Sequence, residues 1–140
     1  MKTRRNRRRG FTLMEILLVL AILVVLGSMV TVGFVRMQKN AYINTTKSQI
    51  SLLEDAVQAY TLSVGVPPNT QQGLEALIVQ PGDLPSPEKW TGPYLDKQSL
   101  PLDPWGNQYE YEQINADQFR IWSPGPDKAS GSEDDISSML

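Results

Sequence analysis

The sequence predicts an α+β fold, a long N-terminal helix whose second half packs on a small antiparallel β-sheet. Three observations predict it. A charge-free apolar run fills residues 16–35. An apolar stripe of helical period follows within 37–64, where no proline or glycine occurs. Near the C-terminus, "QYEYEQI" and "QFRIW" alternate in the manner of two strands flanking a turn.

The N-terminal segment is read first. Residues 1–10 hold six of the 13 basic residues and none of the 15 acidic ones. Residues 11–140 therefore carry seven basic against fifteen acidic residues, a formal charge of −8. So acidic a body lacks the basic face that phosphate contacts need, and nucleic acid is not an expected partner. The basic cluster beside an apolar run reads as a positive-inside topology signal, with the N-terminus in the cytoplasm. The run at 16–35 has 20 uncharged residues. As a helix it spans about 30 Å, the thickness of a bilayer core. A secretory signal peptide fits less well, since an h-region has about 7–15 residues and no A-x-A-like site follows. A plain signal anchor is the other simple reading. Glu15 argues for more, because a carboxylate at the lipid edge is costly without a partner.

The helix continues toward Val64. Ile50, Leu53, Val57, Tyr60 and Val64 form one face, which Leu52, Ala56 and Ala59 widen. Gly65, Pro67 and Pro68 stop it. Glu54 and Asp55 are adjacent, project apart and read as solvated surface. Asn69 or Thr70 is a candidate cap for a short helix to about Val79, ended by Pro81 and Gly82. Residues 83–108 are rich in Pro, Gly and turn formers and read as a loop, anchored on the long helix by Trp90 and Tyr94. The hairpin is expected over 109–114 and 118–123, with Tyr109, Tyr111, Phe119 and Ile121 facing inward.

The C-terminal "SPGPDKASGSEDDISSML" has two readings. One is a disordered acidic tail. The other is a hard-cation loop bracketed by Asp127 and the pair Asp134 and Asp135, with Gly131 allowing the turn. The EF-hand pattern is missing. A domain of about 100 residues without disulfides has use for such a staple.

Composition narrows the chemistry. There is no cysteine and no histidine, which removes disulfides, thiolate nucleophiles, imidazole bases and the commonest zinc ligands. A calcium-dependent binding domain or enzyme would depend on carboxylates, with Asp103, Glu110 and Glu112 as candidates by elimination. Glu110 and Glu112 share a strand face, which solvation explains more simply.

"RRGFTLMEILLVLAIL" resembles the class III signal of type IV pilins and type II secretion pseudopilins, matching at Gly10, Phe11, Thr12, Leu13 and Glu15. "PNTQQGLEAL", "GPYL", "LPLDPWGNQYEY" and "SPGPDKASGSEDD" are similar to the major pseudopilin of the type II secretion system. The likeness covers nearly the whole chain, and "DPWGN" at 103–107 is its most distinctive block. Gln108 departs from the proline common there, and Pro124 and Pro126 stiffen the final loop. A type IV pilus or competence pilin is the alternative, and the "DPWGN" block and the absence of the two cysteines with which type IV pilins tend to close a C-terminal loop count against it.

The resemblance implies a pilin-like fold with a C-terminal metal-binding loop. It implies a leader at 1–10, a transmembrane and filament-core half at 11–35, and a periplasmic domain at 36–140. A prepilin peptidase would cut between Gly10 and Phe11, and Phe11 would be N-methylated. Phe11 and Glu15 lie four apart, on one helix face, so an amine at Phe11 and the Glu15 carboxylate could pair within a chain or between staggered neighbouring helices. The family implies that Glu15 pairs with the Phe11 amine of a neighbour in a filament. Calcium is the implied cofactor, held by Asp127, Asp134 and Asp135 with the backbone carbonyls of Pro124, Ala129 and Ser132. The implied partners are further copies of the chain, minor pseudopilins, the inner-membrane assembly platform with its ATPase, and the secretin. No enzymatic activity is expected.

Overall fold

The protein is described from a computed structural model, over residues 10–96 and 99–137, the side chains of 29–33 excepted. One long helix, α1 (Leu13–Val64), is followed by a short 3₁₀ turn (Gly73–Leu77) and a loop. Three strands complete the fold: β1 (Glu110–Gln113), β2 (Phe119–Ser123) and β3 (Ile136–Ser137). The chain divides into two compact units, Met1–Asn40 and Ala41–Leu140, and α1 contributes to both.

The start of α1 is written in "TLME". The Glu15 N–H donates to Thr12 Oγ1 at 3.3 Å and to the Thr12 carbonyl at 3.1 Å. Thr12 thus caps the helix through its hydroxyl, and the acid in the first turn suits the positive end of the helix. In this first unit the apolar residues of α1 are exposed all around the helix, from Val19 at 48% to Leu13 at 79%. Among the described residues no helical window is long and apolar enough to cross a membrane. The side chains of 29–33, inside the expected span at 16–35, lie outside the described residues.

The second unit holds the core. Ile50, Leu53, Val57 and Tyr60 are each at most 1% exposed, and Ala56 is buried beside them. Thr46 extends the same face, its hydroxyl turned back to the Tyr42 carbonyl at 2.9 Å. Leu52 and Ala59 do not widen the stripe: both are exposed. Successive helical residues turn by about 100°, so Leu52 points away once Leu53 faces the sheet. The helix stops as expected, with the Gly65 N–H donating to the Thr61 carbonyl at 2.8 Å and Pro67 and Pro68 buried beyond it.

The expected short α-helix to Val79 is instead 3₁₀ over Gly73–Leu77. Asn69 and Gln72 form reciprocal bonds before it, Gln72 N–H to Asn69 Oδ1 at 2.8 Å and Asn69 N–H to Gln72 Oε1 at 3.0 Å. Thr70 is no cap: its Oγ1 accepts from the Gln113 N–H at 3.0 Å and ties the turn to β1. Tyr94 stacks edge-on against Tyr60 of α1, with ring centroids 5.6 Å apart. Trp90 meets Tyr94 in turn and donates its Nε1–H to the Ala76 carbonyl at 3.0 Å. Trp90 thus anchors the loop chiefly on the 3₁₀ turn and on Tyr94.

β1 and β2 pair antiparallel, with Tyr111 opposite Ile121 and Gln113 opposite Phe119. Tyr109, Tyr111 and Ile121 are buried, as alternation predicts, while Phe119 is half-buried and stacks diagonally on Tyr111 at 6.0 Å. The buried tyrosines keep polar partners. Tyr111 donates to the Pro68 carbonyl at 2.6 Å and Tyr109 to Gln49 Oε1 at 2.9 Å. Burial, with Asp103 nearby, pushes the Tyr109 phenol up to about 12, and burial raises Tyr111 likewise. β3, which the alternation pattern missed, pairs with β2 through Trp122 opposite Ser137 and Ser123 opposite Ile136. The tail is therefore not disordered up to Ser137, and 138–140 lie outside the described residues.

Candidate functional site

Two places carry the expected functional residues. At the N-terminus, Gly10, Phe11 and Glu15 are all exposed. Because Thr12 caps the helix, Phe11 precedes its first residue, Leu13. The expectation that Phe11 and Glu15 share a helical face is therefore corrected: α1 itself does not impose the four-residue spacing. Thr12 was the missed residue here, and the Thr-x-x-Glu pattern was its signal.

The second place is the C-terminal loop at 124–135, strung between β2 and β3. A 3₁₀ turn, Gly125–Asp127, opens it. Asp127 Oδ1 accepts the Ala129 N–H at 3.1 Å. That bond, with a second from the Ser132 hydroxyl, holds the Asp127 carboxyl below the usual carboxylate range. Gly131 takes a φ of 90°, the turn expected of it, and its N–H donates to Asp135 Oδ2 at 2.8 Å. Asp135 Oδ1 is buried and has no hydrogen-bond partner among the described residues. The Asp134 side chain is exposed, its N–H donating to Ser132 Oγ at 3.2 Å. The Ser132 carbonyl accepts from the Asp135 N–H at 3.4 Å. Asp127 and Asp135 are thus each tied into the loop by backbone donors, and Asp134 stands outward. Among the described residues no three acidic side chains gather closely enough to hold a metal ion by carboxylates alone.

Beneath the loop lies a polar cluster that pattern reading did not find. Asp103, only 5% exposed, accepts four bonds. Its Oδ1 takes the Trp105 N–H at 3.0 Å and the Asn107 N–H at 2.7 Å. Its Oδ2 takes Asn107 Nδ2 at 2.9 Å and the Ser123 hydroxyl at 2.6 Å. Asp103 is therefore fully used as a structural acceptor, which disposes of the catalytic role considered for it. Glu110 accepts from the Ser130 hydroxyl at 2.9 Å and so braces the loop from the sheet. Glu112 is exposed.

The geometry agrees with the relatives. The model of the family "Type II secretion system (T2SS), protein G" matches residues 34–139. The chain belongs to this family. A second model, the prokaryotic N-terminal methylation motif, matches residues 5–31. The type II secretion system core protein G of Pseudomonas aeruginosa is 38% identical over 134 residues, 94% of this chain and 93% of that protein. The core protein G of Pectobacterium carotovorum is 40% identical, covering 93% and 83%. The crystal structure of the major pseudopilin from the type 2 secretion system of enterohaemorrhagic Escherichia coli superposes with a TM-score of 0.65. It has 31% identity and covers 74% of this chain and 91% of that one. As a protein G, the chain is a structural subunit of the type II secretion pseudopilus and not an enzyme. The pilus and competence alternative is set aside by the same findings.

Proposed function

We propose that the protein G chain is made as a precursor and cut between Gly10 and Phe11 by a prepilin peptidase. Phe11 is then N-methylated, and the subunit waits in the inner membrane. The leader at 1–10 lies in the cytoplasm, 11–35 forms the anchor and later the filament core, and 36–140 lies in the periplasm. The observation that carries this reading is the first unit of α1. Its described leucines, isoleucines and valines are about half or more exposed on all sides, as no surface helix of a water-soluble domain would be. Such a helix needs an apolar surrounding, first lipid and then other copies. Exchanging one for the other costs little hydrophobic burial.

Glu15 sets the register. Buried without a partner it is expensive, and opposite the Phe11 amine of a neighbour it is not. The placement of Phe11 ahead of the helix supports an amine free to reach another chain. The assembly platform with its ATPase supplies force, minor pseudopilins are further partners, and the secretin is the exit for the exported folded proteins. Mass spectrometry of the mature N-terminus tests the processing: the expected chain begins at methylated Phe11, and one beginning at Met1 overturns it. Glu15→Ala is expected to insert normally and form no filaments; normal filaments would remove the register role.

The reading includes calcium in the C-terminal loop. An all-oxygen donor set suits a hard cation, and the chain has no cysteine or histidine to favour a softer one. The buried, unpartnered Asp135 Oδ1 supports it. Asp127, Asp134 and Asp135 would hold the ion with the carbonyls of Pro124, Ala129 and Ser132. When bound, calcium supplies a cross-link that closes the loop after export. Thermal unfolding of the full chain in detergent micelles, with calcium and with chelator, checks this: calcium should raise the midpoint, and Asp134→Ala should erase the difference.

A further inference from the structure

We infer that Asn107 and Ser123, gripped by Asp103, are positioning residues for the C-terminal loop, setting its affinity for calcium without touching the ion. The inference rests on the calcium reading above. Gly125 is the point of control. Its N–H donates to Ser123 Oγ at 3.0 Å, and its carbonyl accepts from Asn107 Nδ2 at 2.8 Å. Both peptide groups of Gly125 are therefore held from beneath the loop.

Both holders are themselves fixed. Ser123 is fully buried and donates to Asp103 Oδ2, and Asn107 Nδ2 donates to the same oxygen. The turn at 103–107 is closed by Asp103 N–H to the Asn107 carbonyl at 2.9 Å and Gly106 N–H to the Asp103 carbonyl at 3.0 Å. With Asp103 and Ser123 buried, Asn107 half-buried and four donors on one carboxylate, the network is rigid, because each bond limits the others.

Gly125 in turn decides where the far end of the loop lies. Its φ is 72°, and a Cβ on it would run into the Asp134 carbonyl. Backbone thus lies directly on backbone, at the residue preceding Asp135. Ser123 also pairs with Ile136 across β2 and β3. Both ends of the loop therefore close on the Asp103 cluster, and Asp134 and Asp135 take their positions from it. Ligand carbonyls and carboxylates so placed need less ordering when a cation arrives, and affinity rises accordingly.

The test is calcium titration of the full chain in detergent micelles by calorimetry, with thermal midpoints in chelator alongside. Asn107→Ala frees the Gly125 carbonyl; Ser123→Ala frees its N–H while leaving Asn107 in place. Each is expected to weaken calcium binding by about tenfold or more, the usual effect of losing a group that orients a metal ligand. Tyr111→Phe, which removes the buried bond to the Pro68 carbonyl, a bond outside the Asp103 cluster, should lower the midpoint in chelator and keep wild-type affinity. Wild-type affinity in both Asn107→Ala and Ser123→Ala, with a lowered chelator midpoint, overturns the positioning role and leaves the calcium site standing. Equal weakening in Tyr111→Phe overturns it too, as mere destabilisation. A wild-type chain that takes up no calcium overturns the site and this inference together.

Discussion

The apolar residues in the two halves of α1 are of the same types and meet opposite fates. In the first unit Leu17, Leu20 and Ile22 are half-exposed; in the second Ile50, Leu53 and Val57 are sealed. The difference lies in patterning. The first half is apolar on every face, so no single small sheet could cover it. The second half confines its apolar residues to one stripe, which the tyrosines of β1, Ile121 and the loop after α1 cover. A helix apolar all round belongs among other helices or in lipid, whereas a striped one completes a domain from its own chain. The proposed function gives storage and assembly to the first half, and the structure places the folded core on the second.

The largest break in that comparison comes from the stripe. Leu53→Ala should destabilise the domain by about 2–5 kcal/mol, as buried leucines do. The adjacent Leu52→Ala and the first-half Leu20→Ala should stay within about 0.5 kcal/mol. Denaturant unfolding of the full chain in micelles measures all three. A large effect from Leu20→Ala would erase the division of labour.

Gly125→Ala comes next. A left-handed φ costs a residue with a Cβ about 1–3 kcal/mol, and here the Cβ also meets the Asp134 carbonyl. The expected result is a lowered thermal midpoint together with loss of any calcium response. Gly10→Ala, in open space, should leave the midpoint alone.

Alkali separates the halves by titration. Tyr109 is held neutral up to about 12 against an ordinary 10.0. A raised folded-state value means stability that is complete below pH 10 and lost as pH climbs from 10 toward 12. The domain should unfold in that window while α1 residues of the first unit, which contain no tyrosine, keep their helicity. Circular dichroism with tyrosinate absorbance reads both. Tyr109→Phe should delay the transition.

Acid gives the smallest effect. The Asp127 carboxyl is lowered by the Ala129 N–H and the Ser132 hydroxyl. Its contribution is therefore present above about pH 4 and fades as pH falls through the lowered value. Asp127→Asn should remove that contribution, lowering the midpoint slightly at neutrality in chelator and flattening its fall below pH 4.

Much of this was legible in the residues themselves. The helix end at Gly65, the stripe through Tyr60 and the hairpin are local patterns, set by backbone stereochemistry and periodicity. Leu52 and Ala59 were misplaced because a stripe's width depends on how much sheet is available to cover it. The 3₁₀ turn at Gly73–Leu77 replaced an α-helix because Thr70 and Trp90 bind its ends to β1 and the loop. β3 has only two residues, too few for alternation to register.

What the sequence determined alone is the division of the chain: a basic N-terminal segment, a helix apolar on all sides, a striped continuation, a hairpin and an acidic, cysteine- and histidine-free loop. Each follows from short-range chemistry that needs no distant partner. Only the tertiary structure decided that Asp103 is spent on Asn107 and Ser123, that Gly125 lies against Asp134, and that the tail returns as a strand. Apart from the local Asp103–Asn107 pair, those contacts join residues 9 to 20 positions apart whose pairing no local period encodes. They form because a buried carboxylate must find donors wherever the fold brings them.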